Sequence, residues 1–114
     1  IEFYSSEKGK EPVREFLDDL KETDLDDFSA VLAGLDKLRD RRYHREPLSK
    51  NIGDGLLELR HVGKLNTRII YFFMREQQII LLHGIRNKSR KIPEYDRKTA
   101  LSRKEDWLRR NNHE

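Results

Sequence analysis

The sequence contains no cysteine among its 114 residues. This absence excludes a disulfide scaffold, a thiol nucleophile and a zinc–thiolate site. No apolar run approaches the roughly 20 residues that a membrane-spanning helix needs. Residues 1–8 hold no basic stretch followed by an apolar one, so we expect no signal peptide in this sequence. We therefore expect a soluble, cytoplasmic protein with no membrane partner, and its length favours a single domain over residues 1–114.

Several motifs that mark common enzyme classes are also missing. The six glycines are scattered and form no phosphate-binding loop. The four histidines lack metal-ligand spacing among themselves, and neither a G-x-S-x-G motif nor a Ser-His-Asp pattern stands out. No pair of carboxylates can be singled out as an acid–base pair. We therefore expect neither a metal nor another cofactor.

Charge is abundant and unevenly distributed. Residues 1–34 carry ten acidic and four basic side chains, whereas residues 35–114 carry twenty basic and eleven acidic ones. The densest basic run covers residues 86–91, with four cations and no acid. Such runs attract the phosphates of nucleic acids, although a solvated loop is the simpler alternative.

Apolar spacing predicts two consecutive helices after a short extended start at residues 2–5. Pro12 suits the first turn of a helix, and an apolar stripe with helical spacing follows from Val13 to Leu20. A second stripe runs from Phe28 to Leu38 and fades into the basic stretch at 41–45. A helical hairpin is therefore expected.

The pattern then changes to the two-residue period of strands. Residues 46–55 are rich in turn formers and predict a loop. Strands are predicted around 57–60, at 67–74 and at 79–85, and Pro93 opens a last helix. The expected order is β-α-α-β-β-β-α, an α+β fold with helices packed on a mostly antiparallel sheet.

A register for the last hairpin can be derived if Glu76 and Gln77 form the centre of its turn. Met74 then faces Ile79, and Phe72 faces Leu81. Further along, Ile70 faces His83 and Arg68 faces Ile85. This register places Arg68 and His83 on one face of the sheet as diagonal neighbours.

Four linked segments of this sequence resemble a known family. They are L-L-E-L-R at 56–60, R-I-I-Y-F-F at 68–73, I-I-L-L-H-G-I at 79–85 and R-N-K-S-R-K-I-P at 86–93. Together they resemble the phage-derived, HigB-type branch of the RelE/ParE toxin superfamily. The resemblance covers about residues 1–110.

Three positions depart from the pattern of this branch. Leu57 stands in place of the usual aromatic residue, Ile85 in place of phenylalanine, and Ile92 in place of the threonine before the proline. These departures concern packing more than charge.

The resemblance implies the toxin of a type II toxin–antitoxin pair. RelE-like and HigB-like members cut mRNA in the ribosomal A site without a metal, which blocks translation and arrests growth. ParE-like members share the fold but inhibit DNA gyrase, so a gyrase inhibitor is the alternative function. The implied partners are mRNA, the ribosome and a cognate helix-turn-helix antitoxin in a hetero-oligomer.

The chemistry of metal-free RNA cleavage indicates which residues to examine. The 2′-hydroxyl must be aligned with the phosphate and lose its proton, the charge of the phosphorane must be offset, and the 5′-oxygen must gain a proton. Arg68 and Arg60 are expected to hold the phosphate, and His83 or Tyr95 to transfer protons. The full set of expected catalytic residues is Arg68, Arg60, His83, Lys88 and Tyr95. The residues expected to bind RNA are Arg86, Lys88, Arg90, Lys91 and Lys64.

Each of these assignments has a structural alternative. Arg68 lies in an apolar strand, where a salt bridge to a helix carboxylate such as Asp18 would also explain it. His83 would be a hydrogen-bonded core histidine, and Tyr95 a packing residue at the start of a helix. A catalytically inactive relative that only binds RNA or antitoxin is a third function class.

Overall fold

The protein is described by a computed structural model, which covers residues 1–74 and 78–111. The chain folds into a five-stranded sheet with helices on both faces, as the α+β prediction required. The strands are β1 (Glu2–Phe3), β2 (Ser49–Gly53), β3 (Leu56–Val62), β4 (Asn66–Phe73) and β5 (Ile79–Asn87). The helices are α1 (Pro12–Thr23), α2 (Leu25–Lys37) and α3 (Glu94–Asn111), with a short 3₁₀ turn at Arg41–Tyr43.

The sheet order is β1-β5-β4-β3-β2, with β1 parallel to β5 and all other pairs antiparallel. The central strand β4 is buried on both faces, because its β-branched and aromatic residues point alternately to either side. Ile69 and Tyr71 join a core beneath α1 and α2. Ile70 and Phe72 join a second core beneath α3. None of the described helices is long and apolar enough to cross a bilayer.

The prediction of a loop over residues 46–55 was wrong in part. Ser49–Gly53 forms the edge strand β2, paired with β3. Of the turn formers that suggested a loop, Ser49 and Asn51 lie within β2, and the tight connection at its end is made by Gly53, Asp54 and Gly55, which all adopt positive φ angles. An edge strand tolerates such polar residues because one side of it faces solvent.

The predicted register of the last hairpin was correct at one end only. Ile70 faces His83 and Arg68 faces Ile85, but Phe72 faces Ile80 rather than Leu81. A bulge after Ile70 shifts the register by one residue, so the predicted pair of Met74 and Ile79 is also displaced. The predicted turn centre lies outside the described residues.

A close helix–sheet contact sets the position of α1. Gly84 faces α1, and a Cβ atom there would come within 2.4 Å of the Phe16 ring. Only glycine lets α1 approach β5 this closely.

Candidate functional site

A basic groove lies on the α3 side of the sheet, beside the segment that links β5 to α3. Its volume is about 170 Å³. The lining residues come from β2, β3, the loop after β5 and α3: Lys50, Ile52, Glu58, Arg60, Arg90, Lys91, Ile92 and Arg97. Five of them are cations and one is a carboxylate, which makes the groove an attractive site for an anion.

Glu58 lies at the base of this groove with only 1% of its side chain exposed. Its Oε1 accepts hydrogen bonds from Arg60 Nε (3.0 Å) and Arg60 Nη2 (2.6 Å). The forked contact fixes the guanidinium plane, while about a third of the Arg60 side chain stays exposed. Arg60 is therefore held in place and remains accessible from the groove.

Arg68 lies beneath the groove and is completely buried. Its Nε is 3.6 Å from Glu58 Oε2, its Nη1 donates to Asn87 Oδ1 (3.2 Å), and its Nη2 donates to the Ser89 carbonyl. Burial lowers the pKa of this guanidinium, because the charged form loses hydration. The expected direct grip of Arg68 on a phosphate is thus not available in this structure. The alternative predicted for Arg68 was a salt bridge to a carboxylate such as Asp18; the salt bridge forms with Glu58 instead.

The loop after β5 is organised by its own polar side chains. Asn87 Oδ1 accepts from the Ser89 backbone N–H (3.1 Å), and Ser89 Oγ donates to the Lys91 carbonyl (2.8 Å). Asn66 donates to the Ser89 carbonyl from the neighbouring strand (3.0 Å). These bonds present Arg90 and Lys91 to the groove from an ordered backbone.

Other basic residues that the sequence analysis selected lie elsewhere. Arg86 points to the α2 side of the sheet, where its Nη2 bonds Asp24 (2.7 Å) and Asp27 (2.9 Å). Lys64 is exposed in the β3–β4 turn, and Lys88 is exposed in the loop, outside the groove lining. Arg86 follows Ile85, whose side chain packs in the core beneath α3, so the alternation of β5 turns Arg86 to the other face of the sheet, away from the groove.

His83 is held by both ring nitrogens. Arg103 Nη1 can only donate, so its bond to His83 Nδ1 (2.9 Å) requires that nitrogen to be unprotonated. His83 Nε2 therefore donates to Asp96 Oδ1, at 2.7 Å. Burial lowers the pKa of His83, which favours the neutral ring. In this geometry His83 fastens α3 to β5, as its structural alternative anticipated.

Among the large hydrophobic residues of the described chain, Tyr95 is the most exposed, at 78%. It lies in the first turn of α3 and is not among the groove-lining residues. Its hydroxyl is free to meet a substrate that extends beyond the groove.

Three charged residues of the groove were not selected from the sequence: Lys50, Glu58 and Arg97. Glu58 alternates with Leu57 and Leu59, a pattern that ordinarily marks a solvent-facing position. Lys50 falls in the segment predicted as a loop. Arg97 is brought to the groove by α3, and it bonds the Asp54 carboxylate and the Ile52 carbonyl in the β2–β3 hairpin.

Metal-ligating side chains do not converge anywhere in the described residues: no three of the His, Asp and Glu side chains form a group suited to a metal. The chemistry available in the groove is that of fixed cations around a substrate anion. Such groups stabilise negative charge that develops during a reaction.

Comparison with known proteins identifies a family. Residues 15–105 match the family described as Phage derived protein Gp49-like (DUF891). No curated protein matches the chain. The match covers most of the sequence, including β2 to β5, the loop after β5 and the first part of α3. The chain therefore belongs to the Gp49-like family of phage-derived proteins, a toxin-like family of toxin–antitoxin systems.

Proposed function

We propose that this protein is a RelE/HigB-type toxin that cuts mRNA in the ribosomal A site without a metal. The observation that carries the proposal is the basic groove, where four exposed or half-buried cations and Arg60 surround a single buried carboxylate. The toxin-like character of the family agrees with this function. The resemblance to the RelE/ParE superfamily supplies the ribosome as the site of action.

The proposed reaction uses the 2′-hydroxyl of RNA as the nucleophile. The oxygen of that hydroxyl bonds to phosphorus, the bond from phosphorus to the 5′-oxygen breaks, and a 2′,3′-cyclic phosphate and a 5′-hydroxyl result. The proton lost by the 2′-hydroxyl is matched by the one that the 5′-oxygen gains, so the reaction as a whole neither takes up nor releases a proton. Arg60, Arg90, Lys91 and Arg97 offset the additional negative charge of the phosphorane.

Residues around the groove have supporting parts in this proposal. Glu58 orients the Arg60 fork, and Arg68 holds the loop that carries Arg90 and Lys91. Tyr95 is the proposed proton-transfer residue, since His83 has both ring nitrogens bound. Lys88 contacts the RNA backbone at the entrance of the groove. Reliance on the ribosome to orient the mRNA suits a site without a close acid–base pair.

A cognate antitoxin completes the proposal. Membership of a toxin-like family favours such a partner. We propose a helix-turn-helix antitoxin that binds the toxin in a hetero-oligomer and prevents RNA cleavage.

The decisive test is 5′-end mapping of a reporter mRNA in a purified translation system, with and without the protein, and with ribosomes omitted. We expect cuts that require ribosomes and lie in phase with codons. Arg60→Gln should lower the cleavage rate about 10²- to 10³-fold, the loss typical of one charge-stabilising donor. Lys8→Gln, an exposed cation on the β1–α1 connection, is the control with the same charge change.

Two results would contradict the proposal. Cuts without ribosomes would indicate a free ribonuclease. An absence of cuts from a preparation that arrests growth would favour the gyrase-inhibitor alternative, which inhibition of DNA supercoiling would then test directly.

A further inference from the structure

A second concentration of positive charge lies between α2 and β2. We call residues 37–50 the basic segment. It holds six cations and two carboxylates, and only its last residue lines the groove. The cations are Lys37, Arg39, Arg41, Arg42, Arg45 and Lys50.

The basic segment has an ordered backbone despite its charge. Asp40 accepts from the Arg42 backbone N–H (2.9 Å) at the start of the 3₁₀ turn. Ser49 Oγ donates to the Tyr43 carbonyl (2.8 Å), and the Ser49 N–H donates to the Arg45 carbonyl (3.1 Å). The His44 ring packs against Phe73, with the centroids 4.7 Å apart and the ring planes tilted by 45°. The cations therefore project from a fixed platform.

Only part of this charge is neutralised locally. Arg42 pairs with Asp40 at 2.7 Å and Arg39 with Asp36 at 3.7 Å. Lys37 lies over the Tyr43 ring. Arg41 and Arg45 are exposed and have no ion-pair partner among residues 1–74 and 78–111. Two exposed guanidinium groups of the segment are thus available to an anion.

The basic segment lacks the apolar surface that a protein partner would bury. The large exposed hydrophobic side chains of the described chain all lie outside residues 37–50. Protein–protein interfaces have apolar, aromatic centres from which charge is depleted, whereas nucleic-acid interfaces are polar and strongly positive. The chemistry of the segment therefore favours a phosphate backbone over an acidic protein.

The segment joins the groove along the chain, round the β2 edge of the sheet. Its His44 packs on Phe73 in the core beneath α1 and α2, whereas the groove lies on the α3 side. The segment leads directly into β2, where Lys50 lies opposite Glu58 and lines the groove. We propose that the basic segment binds the RNA backbone, with Arg41 and Arg45 as its principal contacts, and extends the groove into a longer RNA track. This inference rests on the proposed function and adds a binding surface outside the cleavage site.

The test compares a short and a long RNA, of about four and about twelve nucleotides, within the range of single-strand binding sites. Both carry 2′-O-methyl groups throughout, so the nucleophile is blocked and only binding is measured. Fluorescence anisotropy is followed over a range of salt concentrations. The variants are Arg41→Ser/Arg45→Ser in the segment, Arg90→Ser/Lys91→Ser in the groove, and the control Lys8→Ser/Lys10→Ser, each of which removes two cations.

We expect the segment variant to bind the short RNA like wild type and to bind the long RNA more weakly. Loss of two phosphate contacts should reduce the slope of log affinity against log salt concentration by about 1.4. This change corresponds to a roughly 25-fold weaker affinity at about 0.1 M salt. The control should leave both RNAs unaffected. Thermal unfolding of each variant checks that the fold persists.

Unchanged binding of the long RNA by the segment variant would overturn this inference. An equal loss in the control would also overturn it, because net charge alone would then explain the effect. If the groove variant binds both RNAs like wild type, the proposed function fails separately, since the short RNA reports on the groove alone.

Discussion

Replacement of Arg68 tests whether this residue binds substrate or supports the groove from beneath. The guanidinium is completely buried and joins Glu58 to the loop after β5 through Asn87 and Ser89. Arg68→Met keeps much of the volume but removes the charge and both hydrogen bonds. Because Glu58 retains its forked contact with Arg60, this carboxylate is not left wholly unpaired.

The expected loss of stability follows from these contacts. Removal of one partner from a buried charge pair costs about 3–5 kcal/mol when the other partner is left alone. Because Glu58 keeps its contact with Arg60, we expect Arg68→Met to lower the free energy of unfolding by about 3 kcal/mol, the lower end of this range. For a chain of this length that corresponds to a fall in Tm of roughly 12 °C. Arg68→Lys should lose less stability than Arg68→Met, because lysine keeps the positive charge, although it lacks the forked guanidinium.

Thermal and urea unfolding, together with RNA binding, separate the two roles. A supporting role predicts a large loss of stability in Arg68→Met. It also predicts that the double variant Arg68→Met/Glu58→Leu loses less free energy of unfolding than the sum of the losses of the two single variants. The reason is that the double variant leaves no buried charge of this pair without its partner. An Arg68→Met protein with wild-type Tm and weakened RNA binding would refute this reasoning and restore direct phosphate binding.

Three further predictions concern other parts of the molecule. Gly84→Ala should lower stability by about 2 kcal/mol, because its Cβ would collide with Phe16, and Phe16→Leu should recover part of that loss in urea unfolding. The lowered pKa of His83 means that the unfolded chain takes up the proton first, so stability should fall as pH drops below about 6.5. His83→Gln should reduce that pH dependence in thermal unfolding, and an unchanged profile would contradict it. Tyr95→Phe should slow ribosome-dependent cleavage while its Tm stays at the wild-type value, because this side chain is exposed.

The elements of the fold could be predicted where the apolar pattern is strong. The helical stripe from Val13 to Leu20 and the buried strand at 67–74 both correspond to observed elements. The edge strand β2 could not be predicted in this way, because its one-sided burial leaves a polar sequence with turn formers after it. The bulge after Ile70 was equally hidden, since a single unpaired residue leaves no mark on composition.

From the sequence, a group of basic residues could be predicted, but not the full set of residues that lines the groove. Arg60, Arg90 and Lys91 were selected and do share one groove. Arg86 begins the same run of basic residues, yet the alternation of β5 turns it to the opposite face, against Asp24 and Asp27. Lys50 and Arg97 come from elements far apart in the chain, so no local spacing relates them.

The sequence by itself determined the α+β class, the order of the main elements and the positive charge of the second half of the chain. These properties depend on local periodicity and composition, which can be read without knowing what lies opposite each residue. Tertiary structure decided which cations share a groove, that Arg68 is buried beneath it and that both nitrogens of His83 are bound. Burial and hydrogen bonding are properties of pairs brought together by strand register and helix packing, and these are settled only when the whole chain folds.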